Sequence, residues 1–256
     1  MRKIIVYTLT LLICINILGS IPAQAQYYAD LQAELAARGD VLERTITVSP
    51  FEVQDYVGQE ALAEKAAEAT PAVVSIVDVN GNRVGIGSGF IFTHDGYILT
   101  NKHVVASPDS TYTVVLYDGT NVEAEVVYRD SEQDIAVVKI EGTYENSIPL
   151  GTLSEIKAGQ SVAAIGNVLG LYNNTISVGR VTGFDRAIRA SGDDNVVESF
   201  EGLIETDAFI TPGFSGGPLI DESGRVVGVN VATSLSRGKS YAISIDTVRN
   251  RLSQFI

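Results

Sequence analysis

GFIFTHDGYILT, residues 89–100, places two short runs of apolar and aromatic residues on either side of an Asp95-Gly96 pair. Strand-forming runs that flank an Asp-Gly pair are the sequence pattern of an antiparallel β-hairpin. Comparable runs recur along the chain from Pro71 onward, with further turn signals at Asn80-Gly81 and Asp118-Gly119. The sequence therefore predicts an all-β region built from successive hairpins.

The predicted strands fall into two blocks of about six each. The first block comprises residues 72–79, 89–93, 97–100, 113–117, 122–128 and 135–140. After a looser stretch, the second comprises residues 161–166, 176–184, 218–221, 225–233 and 240–245. Helices do not alternate with these strands, so the order favours an all-β double barrel or sandwich over an α/β fold.

Both ends of the β region carry helical signals. Residues 26–70 contain two Ala/Glu-rich stretches, 28–38 and 59–68, which predict helices. This extension could be a prosegment, an oligomerisation arm or a flexible leader, and composition does not choose among them. A short amphipathic helix is predicted over 246–256, with Asp246 as its N-cap. Its apolar face is expected to consist of Val248, Leu252 and Ile256.

The first 25 residues have the layout of a secretory signal peptide. Arg2 and Lys3 form a basic start, an apolar run extends to Ile21, and Ala23-Gln24-Ala25 is a small-x-small cleavage site. An uncleaved membrane anchor is the alternative, but polar residues within the run and the cleavage site favour removal after Ala25. The mature protein is then expected in the periplasm or outside the cell, without a stable membrane anchor.

Composition excludes several classes of function. Cys14 is the only cysteine and leaves with the signal, so a disulfide scaffold and a thiol nucleophile are excluded. Only His94 and His103 are histidines, and we expect no metal and no cofactor. Signal removal lowers the basic residues from 18 to 16 against 31 acidic ones, a formal charge of −15. That balance opposes binding to nucleic acid.

TPGFSGGPL, residues 211–219, surrounds Ser215 with glycines and permits three interpretations. It fits the G-x-S-x-G elbow of α/β-hydrolases, the nucleophile turn of a chymotrypsin-like double barrel, or a turn without chemistry. A serine nucleophile needs a neighbouring base, and in α/β-hydrolases the histidine follows the serine. No histidine follows Ser215 in this chain, which excludes the elbow.

His103 and an acid between it and Ser215 complete the chymotrypsin-like order of His, Asp and Ser. Asp134 directly precedes the apolar strand 135–140, where a carboxylate can be anchored and partly buried. Asp130 and Glu132 lie in a more polar approach and are expected to be solvated loop charges. His94 falls in a turn and is expected to be solvated.

Three segments together resemble the catalytic segments of the HtrA/Deg family of serine proteases, which belong to the chymotrypsin-like clan. They are GIGSGFIFTHDGYILTNKHVV, DSEQDIAVVKI and ETDAFITPGFSGGPL, and the likeness extends from about Pro71 to Ile256. The resemblance implies two six-stranded antiparallel β-barrels, residues 71–150 and 158–245, in a protease domain of 71–256. It also implies that His103 is the general base, Asp134 its orienting acid and Ser215 the nucleophile. The N–H groups of Gly213 and Ser215 would form the oxyanion hole.

The chain departs from the family in three respects. Phe214 stands where the family usually has Asn, and its bulk is expected to alter the cleft or the loop equilibrium. Many members carry PDZ domains after the protease domain, but this sequence stops at Ile256 with no room for one. Activation through a PDZ domain is therefore not expected. The family commonly trimerises through aromatic N-terminal segments, and the candidates here for a homotrimer contact are Tyr27, Tyr28, Phe51 and Tyr56.

The substrate pocket of this clan is lined by the stretch before the nucleophile and by the strand after it. The corresponding residues here are Phe209, Ile210, Thr211, Val229, Asn230 and Val231. No acid stands at the base of this pocket, and an apolar lining favours small or medium aliphatic P1 residues. The stretch 169–201 is expected to be a long mobile loop that gates access.

Two functions follow from the sequence. The first is a secreted or periplasmic serine endopeptidase that acts on misfolded or extended polypeptides through an acyl-enzyme. The second is a protease-fold module that binds unfolded chains with little or no turnover. The complete His, Asp and Ser set favours the first, and Phe214 is the feature that favours the second.

Overall fold

The computed structural model describes residues 59–78, 86–167, 174–191, 197–234 and 239–256, all within one compact unit, Asp55–Ile256. The side chains of residues 59, 86, 189–191, 197–199 and 232–234 are not part of this description. The predicted signal peptide, the helix predicted at 28–38 and the four candidate aromatic residues of the trimer contact lie outside the described residues.

The first barrel is closed and has six antiparallel strands in the order β1-β2-β3-β6-β5-β4. These strands are β1 Val73–Asp78, β2 Ile86–Ile91, β3 Tyr97–Thr100, β4 Tyr112–Val115, β5 Asn121–Arg129 and β6 Ala136–Ile140. Its interior is filled by fully buried aliphatic and aromatic side chains, among them Ile76, Phe90, Ile98, Val114 and Val138. Along β5 the exposure alternates from residue to residue, as expected of a strand with one face on the core.

The hairpin predicted from residues 89–100 joins β2 to β3. Phe90 pairs with Leu99 and Ile91 with Ile98, and Asp95-Gly96 lies in the turn. Gly96 has φ +91°, a conformation that glycine adopts without a Cβ penalty. Its carbonyl accepts a hydrogen bond from the N–H of Ile140 at 3.0 Å, which ties the turn to the end of β6.

The second barrel is also closed, with the order β10-β11-β12-β9-β8-β7. Its strands are β7 Ser161–Gly166, β8 Thr175–Ser191, β9 Val197–Thr206, β10 Pro218–Ile220, β11 Val226–Ser234 and β12 Lys239–Ser244. The double barrel predicted from the sequence is therefore confirmed.

The prediction of a gating loop over 169–201 was wrong for most of that stretch, because β8 and β9 form a long hairpin. The sequence did not reveal β9 because a bulge interrupts its alternation. Arg186 pairs with Leu203 and Ile188 with Phe200, so three steps along β9 match two along β8. Gly202 lies in this bulge with φ +66°.

Two helices flank the barrels. Helix α1, Gln59–Ala69, confirms the predicted helix and buries Leu62, Ala66 and Ala69. Helix α2 extends over Ile245–Leu252 and is followed by a 3-10 turn, Ser253–Phe255. Its N-cap is Ser244, whose hydroxyl accepts from the N–H of Asp246, so the prediction of Asp246 as the cap was wrong.

The apolar face predicted for the C-terminal helix is only partly correct. Val248 and Leu252 are buried, whereas Ile256 lies beyond the helix and is exposed. Helix α2 therefore packs through its first two turns, while Asp246 accepts hydrogen bonds from Thr152 and from the N–H of Leu153.

The barrels share one continuous apolar interface, and the site lies at its edge. Ile165, Val229 and Ile243 of the second barrel belong to the same buried cluster as Ile76 and Phe90 of the first. At the edge of this interface the N–H of Ser88, on β2, donates to the carbonyl of Ser215 at 2.8 Å.

Replacing Gly96 by Ala should destabilise the protein more than replacing Gly119. Both glycines have positive φ, so each alanine carries a strain of about 1 kcal/mol. A Cβ on Gly119 meets nothing within 4 Å, whereas one on Gly96 would collide with the carbonyl oxygen of Ile140. We expect Gly96→Ala to lower the unfolding free energy by at least about 1 kcal/mol more than Gly119→Ala.

Urea unfolding followed by tyrosine fluorescence measures both variants, since the chain has no tryptophan. Equal losses in the two variants would contradict a packing role for the Gly96 turn.

Candidate active site

His103 begins a 3-10 turn, His103–Val105, just beyond the end of β3. Asn101 lies between the strand and this turn, and it is fully buried. Its amide donates to the main-chain carbonyl of Asp134 at 2.9 Å. This bond ties the turn that carries His103 to the start of β6, in addition to the contacts between His103 and the Asp134 carboxylate.

The carboxylate of Asp134 holds His103 at two points. Its Oδ1 accepts from the main-chain N–H of His103 at 2.8 Å, and its Oδ2 lies 2.6 Å from ring Nδ1. An ionised carboxylate only accepts hydrogen bonds, so the proton of the neutral ring lies on Nδ1. That tautomer makes Nε2 the nitrogen that can take up a proton. Asp134 is buried, whereas the His103 side chain is 42% exposed and open to the cleft.

Arg129 supports the same turn from behind. Its guanidinium donates to the carbonyl of Val105 through Nε at 3.0 Å and Nη2 at 2.9 Å, and to the carbonyl of Ser107 at 3.3 Å. Ser107 is also bound through its N–H and its carbonyl to the hydroxyl of Tyr112. Sequence reasoning missed Arg129 and Tyr112, because nothing in their local sequence indicates which carbonyls they reach.

Asp130 is not the solvated loop charge that the sequence predicted, because it is only 2% exposed. Its carboxylate accepts from the N–H groups of Glu132 and Gln133 and from the hydroxyl of Tyr128, and it pairs with Arg251 of α2 at 3.2 Å. Burial raises the pKa of Asp130, but these hydrogen bonds and Arg251 outweigh it and hold the pKa below its ordinary value. Asp130 therefore organises the loop that presents Asp134. Glu132 is exposed, as predicted.

Replacing Asp130 by Asn should destabilise the protein most near neutral pH. The lowered pKa means that the folded state favours the ionised form, so the stabilisation exists above the unfolded pKa of about 3.9 and disappears as the pH falls through the folded pKa. We expect Asp130→Asn to lower the unfolding free energy by about 1–3 kcal/mol at pH 7 and by progressively less below pH ~4.

Glu132→Gln is the matched control, because Glu132 also pairs with Arg251 but is 71% exposed. An exposed pair is worth about 0–1 kcal/mol, so this variant should change stability little. Urea titrations at a series of pH values measure both. An Asp130→Asn deficit that persists undiminished at low pH would contradict the proposed origin.

The turn before Ser215 has the features of a type II β-turn. The N–H of Phe214 donates to the carbonyl of Thr211 at 3.0 Å, with Pro212 at the second position and Gly213 at the third. Gly213 has φ +101°, the sign that this turn requires at its third position. In the part of the chain that the structure describes, the N–H groups of Gly213 and Ser215 donate to no protein acceptor. Ser215 is half-buried, and its Oγ lies 3.5 Å from the carbonyl oxygen of Val231.

Phe214 does not project into the cleft, which corrects the expectation that its bulk would alter it. The residue is 1% exposed and belongs to the core cluster of the second barrel. A Cβ on Gly166 would lie 2.6 Å from the Cα of Phe214, so the ring and its backbone occupy the space that this glycine leaves. The side chain anchors the turn inside the barrel.

The predicted pocket residues divide into two groups. Phe209 is 40% exposed and Thr211 is half-buried, so both side chains can meet a substrate. The other four are buried: Ile210, Val229, Asn230 and Val231. The Asn230 amide donates to the carbonyls of Ile165 and Pro218 inside the barrel. Phe209 and Thr211 are therefore the most accessible of the six, and the assignment of all six to the substrate pocket stays a prediction.

The described residues contain no group of three or more His, Cys, Asp and Glu side chains that could hold a metal ion. His94 is exposed, and its Nδ1 lies 2.9 Å from the carbonyl oxygen of Tyr144, well outside the His103 cluster. No helix in the described ranges is both long and apolar enough to cross a membrane.

Comparison with known proteins agrees with this geometry. The family model described as a trypsin-like peptidase domain matches residues 87–229. Protease Do-like 1, chloroplastic, from Arabidopsis thaliana is 36% identical over 206 residues, covering 74% of this chain and 46% of the relative. A probable periplasmic serine endoprotease DegP-like from Halomonas elongata is 32% identical over 262 residues, covering 96% of this chain and 53% of the relative.

Solved structures extend the likeness to three dimensions. The crystal structure of Deg5 has a TM-score of 0.63 and 36% identity, covering 78% of this chain and 95% of that one. The HtrA-type protease AlgW with tripeptide has a TM-score of 0.65 and 33% identity, covering 76% of this chain and 63% of that one. Fold and site thus define a trypsin-like peptidase domain.

Within that class, the chain belongs to the HtrA/Deg family of serine proteases. It spans about half the length of the curated relatives that it matches.

Proposed function

We propose that this chain is a serine endopeptidase in which His103, Asp134 and Ser215 form the catalytic triad. The observation that carries the proposal is the double hold of the Asp134 carboxylate on His103, at the main-chain N–H and at ring Nδ1. A structural histidine would need only one of these bonds. The second orients the ring and leaves Nε2 as the base.

The chemistry follows from these positions. The hydroxyl oxygen of Ser215 attacks the substrate carbonyl carbon while Nε2 of His103 takes the hydroxyl proton. The negative charge that develops on the carbonyl oxygen is held by the N–H groups of Gly213 and Ser215. His103 then returns the proton to the leaving amine, and an acyl-enzyme remains. Water attacks this ester by the same route, with His103 again as base, and releases the acid.

Asp134 stabilises the imidazolium that forms in both steps. It does so from a buried position, where the interaction between the two charges is stronger than it would be in water. The bond from the main-chain N–H fixes the backbone at His103, and the bond at Nδ1 keeps the ring oriented when it becomes charged.

Misfolded or extended polypeptides are the proposed substrates, and an exported compartment is the proposed location. The relatives support the location in part, since one is named periplasmic and another chloroplastic. The signal-like residues 1–25 support the same conclusion. Strand β11 passes beside Ser215 at Val231, and an extended substrate that pairs with its backbone needs to be locally unfolded.

The alternative, a module that binds unfolded chains without turnover, rested on Phe214. That side chain lies inside the second barrel and leaves the cleft unobstructed. Its position removes the part of the argument that concerned the cleft, whereas an effect of Phe214 on the loop equilibrium stays a prediction. The complete His, Asp and Ser set favours the enzyme.

A fluorophosphonate probe tests the triad directly. The probe should label Ser215, and His103→Ala should slow labelling by about a hundredfold or more, because the serine loses its base. His94→Ala is the matched control, since it removes an exposed histidine from a turn outside the cluster. It should label at the wild-type rate.

Labelling is measured by mass spectrometry of the intact chain and of its peptides. If the wild-type chain fails to label, or if His94→Ala and His103→Ala slow it equally, the assignment of the triad is wrong.

A peptide library varied at P1 tests the proposed specificity. The six predicted pocket residues include no acid, and four of them, Phe209, Ile210, Val229 and Val231, are apolar. We expect small or medium aliphatic P1 residues to be cleaved at the highest kcat/KM. A preference for Arg or Lys would contradict this pocket assignment while leaving the triad intact.

A further inference from the structure

Ser88, at the end of the first barrel that faces the nucleophile turn, is fully buried and uses every polar atom that it has. Its Oγ donates to the carbonyl of Gly213 at 2.6 Å and accepts from the N–H of Asn167 at 2.8 Å. Its N–H donates to the carbonyl of Ser215 at 2.8 Å, and its own carbonyl accepts from the hydroxyl of Thr100 at 2.7 Å. One residue therefore binds both ends of the segment that would form the oxyanion hole.

Each of the three carbonyls of this segment accepts a hydrogen bond from a buried residue. Ser88 binds those of Gly213 and Ser215, and the N–H of Gly217 binds that of Phe214 at 2.8 Å. In a trans peptide the N–H points opposite to the carbonyl, so holding the Phe214 carbonyl inward turns the N–H of Ser215 outward. The N–H of Gly213 faces no protein acceptor in the described residues, as expected if it too faces the cleft.

The hydroxyl of Ser88 is oriented for this task. The N–H of Asn167 occupies one lone pair of Oγ, and the hydroxyl proton is directed to Gly213. Asn167 is itself held from the first barrel, because its amide donates to Oγ of Ser75 at 2.6 Å. Hydrogen bonds link Ser75, Asn167, Ser88 and Gly213 in that order. They connect the interface between the barrels to the nucleophile turn.

We propose that Ser88 is a positioning residue of the oxyanion hole, and that it keeps the hole formed before substrate arrives. Without its hydroxyl, the Gly213 carbonyl would lose its hydrogen-bond partner at a part-buried position, which is unfavourable. The cheapest relief is rotation at Gly213, which has the freest backbone of any residue type. The Gly213 carbonyl shares its peptide plane with the N–H of Phe214, so this rotation would break the hydrogen bond from that N–H to the Thr211 carbonyl, and with it the turn that orients the Gly213 N–H. Phe214, fixed in the second barrel, supplies the opposite anchor of the same segment.

This inference rests on the proposed function, and its test separates the two. Ser88→Ala should lower kcat about tenfold or more on a fluorogenic peptide with an aliphatic P1 residue, while KM changes by less than about twofold. The split arises because the oxyanion exists only after attack, so the hole binds the transition state and not the substrate. A general loss of structure would lower the fraction of active protein, which titration with the fluorophosphonate probe measures separately.

Ser110→Ala is the matched control. It also removes a serine hydroxyl that donates to another residue, Asp78, at 2.9 Å, but on the first barrel outside the nucleophile turn. It should leave kcat and KM unchanged. Should Ser88→Ala fail to fold, Ser88→Cys retains the volume with a weak donor and should show the same fall in kcat.

A double-mutant cycle with Gly213→Ala tests whether Ser88 acts through the turn. Alanine at φ +101° is strained and should by itself lower kcat. If the two residues act as one unit, adding Ser88→Ala to Gly213→Ala should lower kcat by less than about twofold more. Fully multiplicative effects would overturn the proposed route through Gly213.

The remaining outcomes are distinct. If the wild type is active and a folded Ser88→Ala or Ser88→Cys variant keeps its kcat, this inference is overturned. The proposed triad is not affected by that result. A wild type that neither labels nor turns over removes the proposed function, and the inference falls with it.

Discussion

The contact on which the site depends is the close approach of the nucleophile turn to the backbone of the first barrel. Gly216 has φ +86°, and a Cβ there would collide with the carbonyl of Ser88 and the hydroxyl of Thr100. The glycine after the nucleophile is therefore required by space as well as by conformation. Thr100 ends the strand that leads to His103, so the same contact relates the serine on one barrel to the histidine on the other.

Asp130 and Asp134, four residues apart, have different roles near the catalytic histidine. The Asp134 carboxylate binds His103 with both oxygens, one at the main-chain N–H and one at ring Nδ1. Asp130 holds the loop that presents Asp134, with Arg251 of the C-terminal helix as its counter-ion. Burial alone would favour the neutral form of Asp130, but the donors around it and Arg251 outweigh this effect and hold its pKa below the ordinary value.

Much of the architecture could be predicted from the sequence because hairpins are local. The Asp95-Gly96 turn and its flanking strands lie within a dozen residues, and the structure places them as predicted. Strand β9 was missed because the bulge at Gly202 breaks the alternation on which such a prediction relies. The burial of Asp130 was not predicted, because its counter-ion, Arg251, lies at the far end of the chain. The burial of Phe214 was not predicted, because the direction of a turn side chain depends on its packing in the folded barrel.

The sequence by itself determined most of the strands, the order of histidine, aspartate and serine, and the absence of any histidine after Ser215. Only the tertiary structure decided which side chains meet, because the decisive hydrogen bonds join distant positions. His103 and Asp134 are 31 residues apart, and Ser88 and Gly213 are 125 apart. Local pattern sets strand and turn, whereas closure of each barrel and packing of one on the other set distances between residues that share no local signal.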